Sequence, residues 1–195
     1  ALARASVFDG GFSLDAAEAV LQEDGGRVAT HLDTLRARSL LRLYDAPSLE
    51  GELRVELLPV VRAFARARLE ELGLVAETRE RHARYFLATV GGWAAGLDGP
   101  GGVRLLRRIT LELDNLAAIV DDALARPDEP GMPARALTGL FAMEPALAAR
   151  GFRSSDVARL DQAVELATER GAAARQLALA HEVRGDVHKD QGRPQ

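Results

Sequence analysis

A change of hydrophobic period at Pro59 constrains this chain more than any other feature. Upstream of it, Leu53, Val55 and Leu57 alternate at a spacing of two, the repeat of a strand with one buried face. Downstream, Val61, Ala65, Leu69 and Leu72 follow at intervals of four, four and three, with Phe64 alongside. That spacing puts them on one side of a helix. Pro59 suits the first helical position, where its missing N–H would be unpaired anyway and its φ is already helical. Gly73 follows the last apolar residue and is suited to the left-handed conformation that ends helices. A second helix from about Ala76 buries Ala83, Phe86, Leu87 and Val90.

The residues before Leu53 supply the rest of a small domain. Ser6 to Phe12 reads as a turn centred on Gly10 and Gly11, and Ser13 is placed to cap a helix over LDAAEAVLQ with Asp15 in its first turn. Gly25 and Gly26 stop that helix. The next, about Arg27 to Arg38, carries Val28, Leu32 and Leu35 on one face. Leu41 and Leu43, a turn over Ala46 to Gly51, and the alternating Leu53, Val55 and Leu57 form a two-stranded hairpin. Two helices, a hairpin and a closing helix make a winged-helix plan. A lone hairpin is marginal in water, so this one must pack on those helices.

Beyond it, Gly91 to Gly102 reads as a Gly- and Pro-interrupted loop around Trp93. A helical stretch from Val103 places Val103, Leu106, Thr110 and Leu113 on one side. Asp114 then caps a helix striped by Leu116, Ile119, Val120, Ala123 and Leu124. RPDEPGMP (126–133) is the strongest breaker and the best linker. Ala134 to Arg150 forms a helix interrupted at Pro145. After Gly151, Ser154 or Ser155 caps a helix bearing Val157, Leu160, Val164 and Ala167, and Gly171 separates it from a last helix to Gln191. Arg150-Gly151 and Gln191-Gly192 mark equivalent helix ends 41 residues apart (192 − 151 = 41), close to a tetratricopeptide-like period. The expected fold is mostly α: a winged-helix domain over 1–74, a helical connector over 75–132, and the truncated start of tetratricopeptide-like hairpins over 133–195.

Composition agrees with that class and limits the chemistry. Of the 195 residues, 47% are hydrophobic and 28% charged, ordinary for a folded chain rich in helix formers. There is no cysteine, which removes disulfides and thiolate metal sites. No apolar run approaches the roughly 20 residues of a membrane helix, and ALARASVF is not a signal peptide, so the expected location is the cytoplasm. The absence of an initiator Met suggests a piece of a longer protein. A net charge of −4 is a poor start for a nucleic-acid binder, whose affinity comes largely from neutralising phosphates. The only lysine is Lys189, and no GxxxxGK[ST] phosphate loop is present, so no ATP binding or hydrolysis is expected of this chain.

No residue reads as catalytic, cofactor-binding or metal-ligating. His181 and His188 are seven apart, where a helical metal pair prefers four. Gly185, His188 and Gly192 instead fit the packing pattern of a tetratricopeptide first helix, with Arg184 in a usually apolar position. His82, beside Tyr85 and Phe86, reads as a packing histidine, and His31 has no partner acid or nucleophile in the pattern. The serines lack the strand–elbow setting of a hydrolase nucleophile. Asp121, Asp122, Asp128 and Glu129 read as a solvated acidic face, and GPGG (99–102) as a loop. Arg36, Arg38 and Arg42 follow a helix in a winged-helix plan and are the candidate DNA-contacting residues of an alternative reading. Asp33, Asp45, Glu50 and Glu52 crowd the same region and oppose phosphate approach.

Five segments occur in order: SVFDGGFSLDAAEAV, LDTLRARSLLRL, LRVELLPVVRAFARARLEELG, RERHARYFLATV and LELDNLAAIVDDAL. Together they resemble the region after the ATPase core of bacterial STAND proteins, signal-transducing ATPases that include LuxR-like and AfsR-like transcriptional regulators. The resemblance covers about Ser6 to Leu124. It implies an upstream nucleotide-binding domain as partner, with ATP or ADP bound there, and a repeat array that receives a protein or small-molecule inducer. Nucleic acid is not an expected partner of this region, nor is a membrane. In eukaryotic relatives a Met-His-Asp motif reaches the nucleotide phosphates. The matching positions here are Leu57, Leu58 and Pro59, whose side chains offer no hydrogen bond. The resemblance implies a non-catalytic regulatory segment. A DNA-binding winged helix with a helical arm and a plain helical scaffold are the alternatives.

Overall fold

The period change at Pro59 is a strand–helix junction in the computed structural model, which describes residues 1–21, 28–171 and 173–190. Strand β2 (Leu53–Leu57) pairs antiparallel with β1 (Leu41–Asp45) in the register Leu41↔Leu57, Leu43↔Val55 and Asp45↔Leu53. Helix α4 (Pro59–Glu71) follows directly, with Pro59 in its first turn and Gly73 at φ 68° just beyond its end. Ahead of the sheet lie α1 (Leu2–Ala5), α2 (Leu14–Leu21) and α3 (Val28–Ala37). Between α1 and α2, Phe12 bridges to Val55 and adds a third, single-residue rung to the sheet. The order α1, bridge, α2, α3, β1, β2, α4 is a winged helix-turn-helix. Ser13 Oγ accepts the Ala16 N–H at 3.2 Å, the cap that its position predicts. Gln22 to Arg27, including the two glycines read as a stop, lie outside the described residues.

Helices α5 (Val75–Ala94), α6 (Gly102–Leu111) and α7 (Leu113–Leu124) come next, then α8 (Met132–Arg150), α9 (Ser154–Arg170) and α10 (Ala174–Asp190). The described residues thus form a mostly helical chain with one small antiparallel sheet. It divides into two compact units, Ala1–Asn115 and Leu116–Gln195, with the boundary inside α7. In the first, α1 packs on α4, α2 on α5, and α5 on α6. Its core gathers Phe8, Phe12, Val20, Leu21, Val55, Phe86 and Ile109, all essentially inaccessible. In the second, α8, α9 and α10 pack on one another, with Leu137, Met143, Leu147, Leu160 and Val164 inside.

Several local expectations are corrected. Phe64 is 68% exposed and Leu72 also faces solvent, because α4 buries only the narrower stripe of Ala65 and Leu69 against α1. Gly91 and Gly92 lie inside α5, where packing of Phe86 and Val90 outweighs their poor helix propensity. On α6 the buried residue is Ile109; Val103 is 68% exposed, so the inward face is rotated from the expected one. Helix α7 begins at Leu113, which puts Asp114 in its first turn, not at its cap. Pro145 does not interrupt α8, because Ala142, Met143, Ala146 and Leu147 on both sides of it are held in the core. The cap of α9 is Arg153, whose backbone N–H donates to Asp156 Oδ2 at 2.9 Å; Ser154 and Ser155 are helical. Gln191 and Gly192, the second half of the repeat spacing, lie outside the described residues.

Candidate functional site

Helix α3 occupies the place of the recognition helix, with Val28 and Leu32 inward and Thr30, Asp33, Thr34 and Arg36 outward. Arg36 lies 3.8 Å from Asp33 on the same face. Arg38 is exposed one residue past the helix end. Arg42 is on β1, opposite Glu56; its Nε donates to Glu56 Oε2 at 2.8 Å, and its guanidinium lies over the Tyr44 ring. The three arginines are therefore split between a free-facing helix end and a sheet face where one is already committed to a carboxylate.

The wing is gripped from within the same unit. Its turn closes when the Ala46 N–H donates to Glu52 O at 2.9 Å, and Gly51 supplies the left-handed residue with φ 74°. Arg108 Nε of α6 donates to Glu52 Oε2 at 3.0 Å, and Arg107 Nη1 donates to Ser48 O at 3.3 Å. Arg108 also lies over the Trp93 ring. Glu50 and Asp45 remain exposed on the wing.

Beneath the wing is a buried polar node. Arg54 takes the outward phase of β2, yet it is only 1% exposed, because α6 and the start of α7 cover that face. It pairs with Glu112, itself 3% exposed: Arg54 Nη1 donates to Glu112 Oε1 and Nη2 to Oε2 at 2.9 Å. Nη2 also donates to Gly11 O at 2.5 Å. Asn115 Nδ2 donates to the same carbonyl at 3.0 Å and to Glu112 Oε2 at 2.9 Å, while Asn115 Oδ1 accepts the Asp9 N–H at 3.1 Å. His82 Nε2 lies 3.3 Å from that oxygen, with its ring edge-on to Phe8, which stacks on Phe12 at 4.0 Å. Burial alone would pull the Arg54 pKa down. The hydrogen bonds and charge of Glu112, with a smaller contribution from Tyr44, more than offset that and hold it above the ordinary value.

This node is a structural cross-link. Its carboxylate accepts from the Arg54 guanidinium and the Asn115 amide. What it can do is lock the bridge at Phe12, the strand β2, helix α5 and the α6–α7 junction into one body. Sequence reasoning missed it because Arg54 and Glu112 are 58 residues apart. The available signal was the polar LELDN preceding an apolar stripe, together with a hairpin that needed cover on its second face.

The other candidates fall apart or find partners. His82 is a packing histidine, as its setting predicts. His188 contacts Asp161 at 3.1 Å, whereas His181 is exposed beside Arg184. The acidic cluster is distributed among arginines: Asp121 with Arg159, Asp122 and Glu129 with Arg126, and Asp128 with Arg170. Among the described residues no group of His, Asp and Glu is arranged to hold a metal. No helix among them is long and apolar enough to cross a membrane. Leu57 is buried in the sheet, and Leu58 and Pro59 lead into α4 without a side-chain hydrogen-bond donor.

Residues 1–70 match the family model of a winged helix-turn-helix domain. No curated protein and no solved structure matches the chain. A winged helix-turn-helix domain points to a DNA-binding or regulatory role, and that leaves nucleic acid among the partners to be tested.

Proposed function

We propose that this chain is a non-catalytic regulatory and interaction segment of a STAND-type signalling ATPase or transcriptional regulator. The observation that carries the reading is the wing itself. Glu52 and Ser48, at the position where a wing would approach a DNA backbone, are held by Arg108 and Arg107 of α6, and the strand behind them is pinned through Arg54 and Glu112. A winged helix fixed in this way is suited to passing a rigid-body displacement between neighbours. The partners are an upstream nucleotide-binding domain, which would hold the ATP or ADP, and a protein or small-molecule inducer on the C-terminal hairpins. A ligand shifts such an equilibrium only by its differential affinity for the two arrangements; moving it from 1:99 to 99:1 takes about 5.5 kcal/mol.

The test is to purify the parent chain with its upstream region, denature it and identify released nucleotide by chromatography. Stoichiometric ADP supports the reading, and an empty protein without an upstream phosphate loop overturns it. A second reading, DNA binding, is favoured by the exposure of Arg36 and Arg38 at the end of α3. Fluorescence polarisation with random duplex at low salt decides it: saturable binding that weakens in Arg36→Ala/Arg38→Ala would establish that reading.

A further inference from the structure

The second unit holds a cavity of about 350 Å³ between α8, the α8–α9 turn and α10. Its size is at the lower end of small-ligand sites. Glu144 and Ala148, one turn apart on α8, form one wall, and Val183, Asp186 and Val187 form the facing wall on α10. Phe152, just after the turn at Gly151, completes the lining. Among the described residues the lining is thus mainly apolar, with two carboxylates and no cationic side chain.

The two carboxylates differ. Asp186 is two-thirds exposed and has Lys189 at 3.5 Å, a solvent-screened pairing that yields at little cost. Glu144 is half-buried and makes no hydrogen bond or ion pair among the described residues. Burial pushes its pKa up, and among the described residues no counter-charge opposes the shift. A half-buried carboxylate beside an apolar, aromatic-lined space is short of one thing, a cation that brings its own apolar body. An ammonium group would pair with Glu144 and lie within reach of an aromatic face, while its hydrocarbon part displaced water from the valines. An anion would meet two carboxylates.

We infer that this cavity is a binding site for a small organic cation, an ammonium carried on a body of about one aromatic ring and a short chain. The assignment rests on reading the C-terminal hairpins as the receiving end of the chain, and it names the chemistry they receive. Glu144 anchors the cation, Phe152, Val183 and Val187 hold the body, and Asp186 adds long-range attraction.

Titration of the 195-residue chain with phenethylammonium, 2-phenylethanol and phenylacetate, followed by calorimetry and amide chemical shifts, tests it. Phenethylammonium should saturate, with shifts confined to α8, Phe152 and α10, and bind about tenfold or more tighter than the neutral alcohol. Phenylacetate should not bind. Glu144→Gln should weaken the ammonium by about tenfold and leave the alcohol unchanged, and Asp186→Asn should cost about twofold to threefold. Equal affinity for alcohol and ammonium, an unaltered Glu144→Gln, or no saturation would overturn the inference. Should Glu144→Gln fail to fold, the three ligands on the unmodified chain decide alone. An empty cavity would leave the nucleotide test of the parent protein untouched, so the two readings fail separately.

Discussion

Replacing Glu112 by alanine would leave the Arg54 guanidinium, 1% exposed, buried without its counter-ion. Two of its hydrogen bonds end on that carboxylate, and the remaining acceptors are the carbonyls of Gly11 and Leu111, at 2.5 and 3.4 Å. Asn115 Nδ2 loses an acceptor in the same step. Breaking a buried pair from one side costs about 3–5 kcal/mol, because a buried charge is left uncompensated. That lowers a urea midpoint by roughly 1–5 M. Trp93, the only tryptophan, lies in α5 of the same unit, so its fluorescence reports on that unit alone. Removing both charges in Arg54→Leu/Glu112→Leu should recover most of the loss, since apolar replacement of a whole buried pair is often neutral or stabilising. A Glu112→Ala unfolding free energy within about 0.5 kcal/mol of the parent would refute the reasoning. So would a double variant as unstable as the sum of the two single ones, since that would mean the partners do not depend on each other.

Gly11→Ala should destabilise the first unit by about 1–3 kcal/mol, because the added Cβ would overlap the Tyr44 hydroxyl; Tyr44→Phe should restore part of the loss in the same fluorescence assay. Pro145→Ala should stabilise the second unit by about 1–3 kcal/mol, read by far-UV circular dichroism, since α8 already runs through a residue that removes a backbone hydrogen bond. Glu144 gives a pH dependence. Its folded pKa is above the ordinary carboxylate value, so between the two values the folded chain holds more protons than the unfolded one. Its contribution is therefore fully present in acid and is lost as pH rises through the folded value. Glu144→Gln should flatten that slope in thermal melts taken from about pH 4 to pH 8. Arg108→Ala should loosen the wing, seen as faster amide exchange over 46–52 with little change in global stability, because the Arg108–Glu52 pair is partly solvent-exposed.

The sequence by itself determined the elements and their order. Alternation at Leu53, Val55 and Leu57, the helix start at Pro59, the stop at Gly73 and the stripes on α7 and α9 are local signals, written within one or two turns of chain. They were enough for the winged-helix plan that residues 1–70 match. Tertiary structure decided which faces are covered. Spacing places Phe64 and Val103 on candidate inner faces, yet both are exposed, because among the described residues of their unit no element covers those sides of α4 and α6. Arg54 is the converse case: a charged residue in the solvent phase of a strand, made interior by a carboxylate 58 residues away. Burial of a charge depends on a partner that no local window contains, and the cost of leaving it unpaired makes that partner structurally decisive. The cavity beside Glu144 has the same origin, since its two walls come from α8 and α10, and only packing sets a valine pair opposite that carboxylate.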